Sequence, residues 1–134
     1  MKRLVTLSAA LLVLGVTAAL AHDHDSMSGK SAAAAKKTIT GEVVDTGCYL
    51  SHEAKGEKHI SCATKCIGNG MPMGLLTDNG TLYLITLNHD NADPYNALKA
   101  QAGKKVTVTG TVMARNGMKA IDVEKFEPMA ANTK

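Results

Sequence analysis

Tryptophan is absent from the 134 residues, phenylalanine occurs once and tyrosine three times. Binding of single-stranded nucleic acid needs stacking aromatics beside a basic groove, and this poverty argues against that role. Charge argues the same way. The formal net charge is +3, but Lys2 and Arg3 belong to an amino-terminal leader whose loss leaves +1. Other chemistries are missing as well. There is no Cys-x-x-Cys-His segment for covalent haem and no Cys-x-x-Cys opening a helix for thiol exchange. No glycine-rich loop is present to cradle a phosphate.

Cysteine is scarce too, with three in the chain, yet all three fall in one stretch, CYLSHEAKGEKHISCATKC. Cys48, His52, His59, Cys62 and Cys66 lie within nineteen residues. The spacing predicts a helix from about His59 through Cys66, ending at Gly68-Asn69-Gly70, where left-handed backbone is available. On that helix His59, Cys62 and Cys66 stand at i, i+3 and i+7 and share one face. Thiols and imidazoles on one stripe are the donor set of a soft-metal site, suited to zinc or copper.

The first residues, MKRLVTLSAALLVLGVTAALA, read as a signal peptide over 1–21. A basic n-region precedes an apolar core from Leu4 to Leu20, and Ala19-Leu20-Ala21 has the small-x-small form cleaved after Ala21. No cysteine follows the apolar core, so a lipoprotein anchor is not expected, and no stable membrane anchor remains after cleavage. The mature chain of about 113 residues is then periplasmic or secreted and forms one small domain. Cleavage would also expose His22-Asp23-His24. A free amine with histidine third in line can hold Cu(II) in a square plane, so His22 and His24 form a possible amino-terminal site.

Residues 22–37 are small and polar without an apolar period and read as a flexible tether. From Thr38 onward the pattern is mostly strand. Thr38–Asp45 alternates, and Gly74–Thr77 leads through Asp78-Asn79-Gly80 into Thr81–Leu87, which is apolar on both faces as a central strand would be. In Lys105–Met113 the valines point one way and the threonines the other. Asn116-Gly117 then turns the chain into Met118–Phe126. Asp93 and Pro94 open a helix that places Tyr95, Leu98 and Ala102 on one face. The order β-β-β-α-β-β predicts a mainly β, five-stranded OB-like barrel over 38–128. The Cys/His segment, 46–72, is a partly helical insertion between strands 1 and 2, and 129–134 form a disordered tail. Met71 and Met73 read as apolar residues entering the second strand, and His89 as a solvated loop histidine.

Two uses of the thiols compete. In the first, Cys48, Cys62, Cys66 and His59 ligate a transition metal, with His52 in reserve. In the second, Cys48 pairs with Cys62 or Cys66 in a disulfide that staples the segment to the barrel, contributing on the order of 3 kcal/mol. An exporting compartment permits the staple. The odd cysteine count favours the metal, because any single bridge leaves a thiol over. No acidic or amide group stands out to orient a histidine as the base of a cysteine nucleophile, so an enzyme is not expected.

Four stretches taken together carry a resemblance. They are Gly41-x-Val43-x-Asp45-x-x-Cys48-Tyr49, His59-x-x-Cys62-Ala63-x-x-Cys66, Gly70-x-Pro72-x-Gly74-Leu75-Leu76 and Gly103-Lys104-x-Val106-x-Val108-x-Gly110. The chain from about Thr38 to Glu127 resembles a group of small exported, largely uncharacterised bacterial proteins with a Cys/His segment preceding an OB-like barrel. That resemblance implies export and the domain limits, and no activity. The expected role is metal handling or assembly in the cell envelope, with an envelope protein as partner. The alternative is a stapled OB-like interaction module without metal.

Overall fold

The computed structural model describes residues 32–130. The leader, His22 and His24, the tether up to 31 and the tail from 131 lie outside the described residues.

The strands are β1 (Ala32–Asp45), β2 (Met73–Leu76), β3 (Leu82–Leu87), β4 (Lys105–Arg115) and β5 (Met118–Pro128). Between β1 and β2 come α1 (Thr46–His52), a 3-10 turn (Glu57–His59) and α2 (Ile60–Gly68). Between β3 and β4 come α3 (Asp93–Leu98) and a second 3-10 turn (Lys99–Gln101). The protein is mainly β. Its strands close into a barrel in the order β1-β2-β3-β5-β4, with β4 returning to β1. Only the β3–β5 pair is parallel among these neighbours.

Alternation explains the walls. Val106 and Val108 are fully buried, while Thr107 and Thr109 face outward. Their hydroxyls meet those of Thr40 and Thr38 on β1 at 3.0 Å each, a cross-strand ladder on the outer face. Ile121 and Val123 line the interior from β5, and Met73, Leu75 and Ile85 complete it from β2 and β3. Met73 is thus a core residue, as its position at a strand start suggested. At Asn116 and Gly117 both φ angles are positive, the conformation of a tight hairpin turn.

Two expectations are corrected. The tether was expected to run to Lys37, but β1 begins at Ala32, and Lys36 and Lys37 pair with Thr111 and Gly110. The long β4 presents backbone groups that need partners, and the closing barrel supplies them whatever the side chains are. Polar composition therefore hid a strand. Nor is β3 buried on both faces. Ile85 is buried, whereas Leu82 and Leu84 are half-buried beside Leu50 and Met118, because the outer wall of a barrel faces solvent.

The helices extend the core rather than lie apart from it. Ala63 and Ile67, four residues apart on α2, join Leu98, Ala102 and the barrel valines in one cluster. A Cβ on Gly103 would stand 2.6 Å from Ile60 Cγ1, so the start of α2 packs directly against the entry to β4. This contact fixes where α2 sits.

Candidate metal centre

Each cysteine owes its position to a local signal. Asp45, the last residue of β1, caps α1 by accepting the Cys48 N–H on Oδ1 at 2.6 Å. Thr46 N–H donates to Pro72 O at 3.0 Å and ties the start of α1 to the start of β2. Cys48 therefore sits in the first turn of a helix anchored at the barrel rim. Cys62 and Cys66 are one turn apart on α2, on the stripe next to the buried Ala63 and Ile67. The expected end of α2 is present. Met71 N–H reaches Cys66 O and Gly70 N–H reaches Ile67 O, both at 3.0 Å, with Gly70 at φ 96.

All three Sγ atoms lie within 4.8 Å of one another. The cysteines are free thiols; Cys62 is exposed, and Cys48 and Cys66 are partly buried. Thiolates on one ion at about 2.3 Å stand roughly 3.8–4.0 Å apart, so sub-ångström adjustments close the group on a metal.

The imidazoles are not in that group. His52 is exposed at the end of α1, with Ser51 Oγ 2.7 Å from Nδ1. His59 belongs to the 3-10 turn before α2, and the two rings lie tilted at 55° with their centroids 6.3 Å apart. The shared face expected for His59, Cys62 and Cys66 required a continuous α-helix. A 3-10 turn winds more tightly and takes His59 out of the stripe. Met71 is 43% exposed and packs over Gly47, and His89 is exposed beyond β3.

Sequence reading passed over Asp45 as a functional residue. Its signal was Asp45-x-x-Cys48, an acidic N-cap three residues before a thiol. It is the one fully buried charged side chain among the described residues, at 1% exposure. A protonated Cys48 thiol can donate to this carboxylate, while the thiolate is repelled by it. That preference, with burial, pushes Cys48 from its ordinary 9.0 to about 12. Among the described residues, Asp45 Oδ2 has no hydrogen-bond partner. Burial pushes the Cys66 thiol up as well, with Cys62 adding to the effect.

The sign of the pH dependence follows. The folded metal-free chain keeps a Cys48 proton that the unfolded chain releases above pH 9, so stability is full below pH 9 and declines as pH rises toward about 12. The reduced, metal-free protein should lose melting temperature over that window, and Cys48→Ser should flatten the decline. A flat profile in the parent protein would contradict the Asp45–Cys48 coupling. Alkylation at pH 8 should take exposed Cys62 first and Cys48 last, which peptide mass mapping would read.

No family model, curated protein or solved structure matches the chain. Among the described residues, no helix is long and apolar enough to cross a membrane.

Proposed function

We propose that this is an exported transition-metal-binding protein, holding zinc or copper on Cys48, Cys62 and Cys66, in envelope metal handling or assembly. One observation carries the reading: three free thiols from two helices converge within 4.8 Å at the end of a barrel. Two thiols would suffice for a staple. A third in the same small space is what a thiolate metal site requires. Export is supported by the leader, and the oxidising compartment makes a bound ion a means of keeping three thiols reduced.

The barrel itself fits the OB-like class. The order β1-β2-β3-β5-β4, a parallel β3–β5 pair and a helix between β3 and β4 support that assignment. The segment carrying the cysteines is then an insertion between its first two strands. Insertions at strand ends commonly bear function on rigid scaffolds. The two histidines are left out of the ligand set, because the sulfurs converge without them.

The test is direct. The mature protein is purified from a periplasm without chelator or affinity tag, then examined by elemental analysis and intact mass. One zinc or copper per chain with three reduced cysteines is the expected result. A mass two daltons low with no metal would identify the stapled interaction module instead.

A further inference from the structure

Asp45 is overbuilt for a helix cap. Serine, asparagine or aspartate serve an N-cap about equally, and only aspartate brings a charge. Here that charge is buried to 1% exposure. Oδ1 is satisfied by Cys48 N–H at 2.6 Å, but Oδ2 is shielded from water and has no hydrogen-bond partner among the described residues. An acceptor left so is destabilising, and more so when it carries charge. Among the described residues, no lysine, arginine or histidine forms an ion pair with it.

A cation would satisfy it, and the place where one would sit is adjacent. Asp45 and Cys48 belong to the same turn, where the carboxylate already holds the Cys48 N–H through Oδ1. Resting on the reading of Cys48, Cys62 and Cys66 as metal ligands, we propose that Asp45 Oδ2 supplies the fourth ligand. The site is then Cys3Asp, built for a four-coordinate divalent ion, zinc, rather than for Cu(I). Three thiolates alone satisfy a soft monovalent ion, whereas structural zinc takes four ligands and accepts carboxylate oxygen at about 2.0–2.2 Å. The carboxylate is not itself within the 4.8 Å sulfur group, so loading must bring the two together.

The experiment uses the reduced mature chain and two probes, Zn(II) and Cu(I), each titrated against a chromophoric chelator. Asp45→Asn keeps Oδ1 for the cap and removes the anionic ligand. Zinc affinity should fall at least about tenfold, as even loss of an outer partner does. Cu(I) affinity should stay within about threefold of the parent protein, a smaller change than any ligand loss would give. Unchanged zinc affinity, or equal losses for both ions, would overturn the fourth-ligand assignment. Asp45→Ser, which also caps, repeats the test if the asparagine variant lacks the parent circular dichroism. X-ray absorption of zinc-loaded parent protein should show three sulfurs and one light atom without imidazole outer-shell scattering. An imidazole pattern would overturn the proposal in favour of a histidine. Failure of the underlying metal reading looks different: the parent protein would bind neither ion, or Cys62→Ser would bind both as tightly as the parent.

Discussion

Cys62→Ser should lower affinity for zinc or copper by more than roughly 100-fold, beyond the range for outer partners of a metal site. Cys62 is the most informative of the three cysteines because it is exposed. Its side chain contributes nothing to the core, whereas neighbouring Ala63 and Ile67 hold α2 to the barrel and are untouched by the change. Serine preserves size and removes the soft donor, so any loss is one of ligation and not of folding. Cys48→Ser and Cys66→Ser should lose as much, and Cys48→Ser also removes the coupling to Asp45. Competition with a chelator, read beside the melting curve, checks the result. Stoichiometric metal retained in Cys62→Ser would remove that residue from the site.

Gly110→Ala should destabilise the fold by about 3 kcal/mol, the upper end of the usual cost of overpacking. That is a large share of the roughly 5–15 kcal/mol that holds a domain together. Gly110 lies where β4 changes register against β5 and pairs with Lys37 on β1 and Val123 on β5. An added Cβ would overlap the Asp122 carbonyl oxygen and stand 2.9 Å from its carbon and 3.2 Å from Ile121 Cγ1. Two of those atoms are backbone, which cannot swing aside as a flexible side chain does. The bulge would have to widen, at the strand through which β1 and β5 are joined. Urea unfolding measures the loss. Gly68→Ala is the control, since a Cβ there meets nothing within 4 Å and the helix gains up to about 1 kcal/mol in propensity. Equal midpoints for the two variants would refute the packing argument at Gly110.

Which parts of this structure were legible in advance follows from the range of the forces involved. The valine–threonine alternation of β4, the Asn116-Gly117 turn and the α2 terminus at Gly70 are local, set by side-chain period and backbone sterics within a few residues. They appeared as read. The amino-terminal half of β1 was missed because its cause lies on β4, some seventy residues away in sequence. The helix expected from about His59 begins at Ile60, with His59 as its N-cap and as the last residue of a 3-10 turn, and a change from 3-10 to α winding leaves no compositional trace.

The same division runs through the candidate site. Residue order is enough to put three thiols in one stretch, two of them on a helical stripe, and an aspartate three residues before the third. These are matters of identity and spacing. Folding in three dimensions is what brings Cys48 to Cys62 and Cys66 while His52 and His59 come near each other. It alone buried Asp45 with one oxygen unanswered. Convergence of α1 and α2 depends on the barrel rim: Thr46 is tied to Pro72, Ile60 is lodged on Gly103, and Ile67 is sunk in the core. Those contacts join residues distant in the chain, and no local period encodes them.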